Sequence, residues 1–220
     1  MKLLLTSAGI KNTSIQNALV DLLGKPIAEA SALCIPTAAY ALRRGAGMAW
    51  RMINGRDDTP LCELGWKSLG VLELTALPSI GEERWVPLVQ ETDALLAGGG
   101  DVLYLCYWMR QSGLADLLPS LRAVWVGVSA GSTVMAPNVG EQFIGWRPPT
   151  GNDEGLGLVN FAMFPHLDDE ELQGKSMACA EEWAASLPVP GYAIDGQTAI
   201  KVTDGAVEVV SQGHWKRFAS

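Results

Sequence analysis

The sequence predicts an α/β protein: a mostly parallel sheet with helices on both faces, completed by antiparallel strands and hairpins at the C-terminal end. Two observations carry this. Short apolar runs alternate with helix-period segments over the first two-thirds of the chain, the pattern of repeated β–α units. The last third holds short apolar runs separated by turns, with Asp204-Gly205 as a strong hairpin signal. At 220 residues, 48% of them hydrophobic, the chain reads as one domain, 1–220, able to bury a full core unaided.

In order, residues 2–7 read as a buried strand. Asn12 or Thr13 caps a helix with Ile15, Ala18, Leu19, Leu22 and Leu23 on one face, stopped by Gly24 and Pro26. Residues 32–35 are a strand, 38–52 a helix, 54–60 a turn-rich loop, 61–68 a helical piece and 71–74 a strand. A helix over 81–90 leads to a strand over 92–97 that ends in Gly98-Gly99-Gly100-Asp101. A helix over 102–111 follows, with Gly113 near its C-cap and a further helical turn through Leu118. Residues 124–128 form a buried strand and 137–154 a loop. A strand over 156–164 delivers Pro165-His166, and a long helix is expected over 168–186. Residues 192–194, 198–202 and 207–210 read as antiparallel strands.

A formal net charge of −8 disfavours a nucleic-acid partner. The four cysteines are scattered, with no Cys-x-x-Cys, which points to a reducing compartment, the cytoplasm, and to neither a zinc site nor a disulfide framework. No apolar run reaches membrane-spanning length, and the N-terminal run is too short for a signal peptide.

Function in such sheets gathers beyond the strand C-termini, and three notable features fall there. Gly127-Val128-Ser129-Ala130-Gly131 is a Gly-x-Ser-x-Gly elbow. Its small neighbours let the backbone bend so that a serine hydroxyl projects from the sheet. The bland alternative is an ordinary strand–turn–helix joint. A nucleophilic serine needs a base, and the chain has two histidines. His166 ends a buried strand, whereas His214 lies among Trp215, Lys216 and Arg217 and reads as exposed, so His166 is preferred. Candidate orienting carboxylates are Asp195 at a strand end, Asp168 two residues past His166, and Asp153 in the loop. Asp168 is equally an N-cap and Asp195 a turn residue. The N–H group of Ala130 and one of those in the glycine run Gly98-Gly99-Gly100 are candidate oxyanion donors. No Gly-Lys-Ser/Thr or Gly-x-Gly-x-x-Gly accompanies the glycines, which disfavours nucleotide binding. Trp108 and Arg110, on the next helix, are candidates to overhang the site.

Taken together, Gly-Gly-Gly-Asp at a strand end, Gly-x-Ser-Ala-Gly-Ser, Leu-Gly-Leu-Val-Asn-Phe before Pro-His, and Ile-Asp-Gly-Gln-Thr-Ala resemble the peptidase E (aspartyl dipeptidase) and cyanophycinase family of serine peptidases. The resemblance implies a flavodoxin-like fold of the class I glutamine amidotransferase type. It implies Ser129 as nucleophile, His166 as base, Gly100 and Ala130 as the oxyanion hole, and Asp195 as the third member, one methylene shorter than the family's Glu. The related amidotransferase pattern favours Asp168 instead, and some peptidase E sequences favour Asp153. The implied activity is cofactor-free hydrolysis of short peptides, dipeptides among them, with a second copy in a homodimer as a further expectation. In aspartyl dipeptidase the segment after the histidine carries arginines. Here it reads Asp168-Asp169-Glu170-Glu171-Leu172-Gln173-Gly174-Lys175, with Lys175 the one cation, so an acidic substrate preference does not carry over. Arg110 and Arg147 are the candidates to replace those cations. A non-catalytic binding module, or an amide hydrolase on a non-peptide substrate, are the alternatives on the same fold.

Overall fold

Strand β1 (Lys2–Thr6) lies between a parallel and an antiparallel neighbour, and this sets the plan of the molecule. The computed structural model describes residues 1–219. After β1 come α1 (Thr13–Leu23), β2 (Ser31–Ile35), α2 (Gly45–Ile53), β3 (Ser68–Val71), α3 (Glu82–Glu91), β4 (Ala94–Ala97), α4 (Val102–Gln111), α5 (Leu114–Leu117), β5 (Val124–Val128) and α6 (Ala130–Thr133). The chain ends with β6 (Ala162–Phe164), α7 (Met177–Ala185), β7 (Gly191–Ile194), β8 (Thr198–Thr203), β9 (Ala206–Ser211) and β10 (Trp215–Phe218). The main sheet has the order β3-β2-β4-β5-β1-β8-β9. Its first five strands are parallel; β8 pairs antiparallel with β1, and β9 antiparallel with β8. No helix among the described residues is long and apolar enough to cross a membrane.

Side-chain alternation explains why both faces are covered. Leu3, Leu5, Leu95 and Trp125 point into one core, under α3 and α4. Leu4, Leu96, Val124 and Val126 point into the other, under α1, whose Ile15, Leu19 and Leu22 are all buried. Helix α1 starts where Asn12 accepts the Ile15 N–H and stops at Gly24 in the left-handed region. Asp204 and Gly205 both take positive φ in the two-residue turn between β8 and β9, as a type I′ hairpin requires.

The structure corrects several sequence-based expectations. The segment 38–52 is two pieces, a 3-10 turn over Thr37–Ala41 and then α2. A Cβ at Gly45 would meet the Ala39 carbonyl at 1.9 Å, so the chain doubles back there and Leu42 is extended. No helix forms over 61–68: Trp66 Nε1 donates to the Leu61 carbonyl, and Ser68 already begins β3. That strand ends at Val71, three residues earlier than expected, because pairing with β2 sets its register. The apolar run 156–164 is strand only at Ala162–Phe164. The N–H groups of Leu156 and Leu158 are taken by the carbonyls of Val134 and Met135. The helix expected from Asp168 starts at Met177, capped by Ser176. Positive φ at His166, Asp168 and Gly174 is incompatible with a right-handed helix through that stretch.

Strand β7 is not part of the C-terminal hairpins. It joins β6 in parallel and β10 in antiparallel pairing, in a separate three-stranded sheet that the sequence did not reveal.

Candidate active site

Three neighbouring parallel strands, β4, β5 and β1, end on one side of the molecule, and each delivers a piece of the site. β5 delivers Ser129, held at φ 51°, ψ −109°, a strained geometry for a non-glycine residue. Its neighbours make that bend feasible. A Cβ at Gly127 would meet the Gly131 carbonyl at 2.4 Å, and one at Gly131 would meet the Ala97 carbonyl at 2.2 Å. The end of β1 braces the elbow. Ser129 N–H and Ser132 Oγ both donate to the Thr6 carbonyl, and Thr6 Oγ1 donates to the Gly127 carbonyl.

β4 delivers Gly98-Gly99-Gly100. Gly100 has φ 143°, and a Cβ there would meet the Ala38 carbonyl at 2.2 Å, so only glycine is accommodated. Asp101 then caps α4 by accepting the Tyr104 N–H. Among the described residues neither the Gly100 nor the Ala130 N–H is taken by a backbone acceptor.

His166 arrives from the second sheet, just past β6. Its Nε2 lies 2.9 Å from Ser129 Oγ. Its backbone N–H donates to the buried Ser7 Oγ at 2.7 Å, which ties the imidazole's φ 63° turn to the end of β1. Sequence reasoning missed Ser7, although it ends a strand in the same way as the residues that were singled out. Burial and the nearby Lys175 cation push the His166 imidazole down to about 4, partly opposed by the Asp169 carboxylate. The ring is therefore neutral at pH 7 and able to accept a proton. Lys175 itself is drawn down to about 8 by burial, and its Nζ lies over the rings of Phe143 and Phe164, 4.2 and 4.9 Å from their centroids.

The three carboxylates singled out from the sequence have other partners. Asp195 directly follows β7, the strand that pairs in parallel with β6 ahead of His166. Its Oδ1 accepts from Gln197 N–H and Thr198 Oγ1, and its Oδ2 from the His214 N–H. Asp168 carries its carboxylate 3.9 Å from His214 Nδ1, at an exposed position. Asp153 accepts from Asn138 and from the Gly140 N–H. Among the described residues no carboxylate hydrogen bonds to the His166 ring, whose side-chain partner is Ser129. The carboxylate whose charge acts on the imidazole is Asp169, which no spacing rule identified.

The structure places the substrate-binding candidates away from the serine. Arg110 donates to the Gly155 carbonyl at 2.7 Å, and Trp108 stacks edge-on with Tyr104 and Tyr107; neither lines the cavity beside Ser129. Arg147 pairs with Glu141 at the surface. The cavity of ≈ 170 Å³ is instead walled by α2 and the loop before Leu61, segments the sequence reading left without a role.

The low value at His166 predicts a pH profile. A histidine serving as general base works when neutral, so with His166 in that role kcat/KM is expected to hold from pH 7 down to about pH 5 and to fall through an apparent pKa near 4. Lys175→Met removes a cation that depresses this value, so the acid limb moves to higher pH. A limb that stays put, or moves lower, contradicts this account of the electrostatics.

A family model described as Peptidase family S51 matches residues 3–210. Among solved structures, a Listeria monocytogenes EGD-e protein provisionally described as a peptidase E superposes with a TM-score of 0.66 at 18% identity, covering 96% of this chain and 98% of that one. A peptidase from an acI-B1 Actinobacterium superposes with a TM-score of 0.65 at 20% identity, covering 100% of this chain and 87% of that one. These likenesses carry the α/β fold. A search of curated proteins found no match.

Proposed function

The chain belongs to peptidase family S51 and is a serine-type peptidase, and on that premise we propose that Ser129 and His166 perform the hydrolysis on short peptides. The observation that carries this is the 2.9 Å approach of His166 Nε2 to Ser129 Oγ on a strained elbow. The Ser129 hydroxyl adds to the scissile carbonyl carbon as its proton passes to Nε2. The oxyanion that forms is held by the free N–H groups of Gly100 and Ala130. The C–N bond then breaks as Nε2 gives the proton to the leaving amine. Water, deprotonated by the same nitrogen, releases the acyl group from Oγ.

Asp169 supplies the negative charge that favours the transient imidazolium. Asp195 acts at one remove. Its hydrogen bonds hold the β7–β8 turn, and the neighbouring Ile194 carbonyl accepts the Leu167 N–H, fixing the turn that carries His166. A cavity of ≈ 170 Å³ beside the serine, well below the ~300–1,000 Å³ of pockets that enclose larger ligands, accords with a small substrate residue at the serine, as a short peptide presents. The four free cysteines accord with a cytoplasmic setting.

Covalent labelling tests the assignment. A serine-directed phosphonate is expected to add once, on the peptide containing Ser129, as read by mass spectrometry. The label is expected to fail on His166→Ala. Labelling of a different serine overturns the mechanism.

A further inference from the structure

We propose that the cavity beside Ser129 is the acyl-side specificity pocket, and that it selects peptides whose acyl residue carries an apolar side chain rather than an acidic one. This rests on the assignment of Ser129 as nucleophile.

The first argument is position. The cavity is lined by Ser129, His166 and Gly98-Gly99-Gly100 together. The leaving nitrogen must meet His166 Nε2 to receive its proton, so the leaving group occupies the His166 side. The acyl carbonyl oxygen faces the N–H groups of Gly100 and Ala130, which runs the acyl residue along the glycine segment. From there the cavity continues to α2 and Leu61, and the acyl side chain is the group that enters it.

The second argument is chemistry. The far wall is Met48, Ala49 and Met52 of α2, together with Leu61. Met52 packs directly on the glycine run: a Cβ at Gly98 would meet its Sδ at 2.3 Å. Thioethers on flexible stems adapt to varied apolar shapes. No lysine or arginine lines the cavity, and the carboxylate that does is Asp57. An acidic side chain placed here loses its water, finds no cation and meets a like charge. Lys175, the one cation acting on His166, is held over Phe143 and Phe164 and is not part of this lining. At ≈ 170 Å³ the space suits a single side chain.

The test compares kcat/KM for dipeptides that share one leaving residue and begin with Leu, Met, Ala, Asp or Glu. Leu or Met is expected to exceed Asp by about a hundredfold or more, the discrimination that uncompensated polar burial gives. Met48→Arg places a cation in the wall and is expected to narrow that ratio at least about tenfold. Asp57→Arg, on a loop, does the same if Met48→Arg fails to fold. Binding of the same dipeptides to Ser129→Ala, measured by calorimetry, reads the pocket without the chemistry. Apolar over acidic binding there, with no hydrolysis by wild type, keeps the pocket assignment and removes the catalytic one. Equal or better use of Asp and Glu by wild type overturns the pocket assignment and leaves the mechanism standing. A preference unchanged in both arginine variants overturns it as well, as does the absence of any binding.

Discussion

Ser129→Ala is expected to lower kcat/KM for peptide hydrolysis by about 10⁴- to 10⁶-fold, the range seen when a residue of a concerted catalytic unit is lost. Two other serine hydroxyls at the elbow and at the end of β1 are already engaged. Ser132 Oγ donates to the Thr6 carbonyl, and Ser7 Oγ is occupied by the His166 N–H. His166→Ala is expected to cost a similar factor, and the double variant little more than either single one, because the two act as one unit. Ser129→Ala removes one oxygen from a half-buried side chain, so its melting temperature should stay close to that of the wild type. Steady-state kinetics with denaturation curves decide the matter. Turnover retained within tenfold in a folded Ser129→Ala protein rules out Ser129 as nucleophile.

Gly131→Val is expected to destabilise the protein by more than about 3 kcal/mol, an overpacking and strain effect at the upper end of single substitutions. Any Cβ at this position points at backbone, 2.2 Å from the Ala97 oxygen and 2.7 Å from its carbonyl carbon. Backbone in the middle of a parallel sheet cannot yield as a flexible side chain would. The damage should extend beyond stability, because a shift of the β4 end displaces Gly98-Gly99-Gly100 relative to Ser129. Gly47→Ala serves as the contrast. A Cβ there finds only Arg51 Nη1, at 3.9 Å, and the site is inside α2. It should be neutral or stabilising by about 0.4–1 kcal/mol through the unfolded chain. Urea denaturation of both variants checks the pair, and equal midpoints would show that close backbone approach at Gly131 is not what fixes the elbow.

Short-range chemistry made much of this protein readable from its sequence. The strand 124–128 and the helix 102–111 were delimited to the residue, and α1 was announced by Asn12 and Gly24. Ser129, His166 and the glycine run were singled out because each stands at a strand end, where parallel sheets expose their functional groups, and the structure brings His166 Nε2 within 2.9 Å of Ser129 Oγ. These signals survive because apolar period, caps and small-residue turns act over a few residues.

What the sequence could not decide depends on segments far apart in the chain. The run after His166 has a helix-like composition, yet positive φ at Asp168 and Gly174 bends it into a loop that brings Asp169 and Lys175 to bear on the imidazole. Asp195 follows the strand that pairs with β6 but spends its oxygens on Gln197, Thr198 and His214. The cavity wall comes from α2, more than seventy residues before the serine it serves. A residue's local pattern states which element it can join. Which charge it meets, and which cavity it lines, follows from how β4, β5 and β1 lie side by side and how the second sheet brings the end of β6 to them, and that is a property of packing across the whole chain.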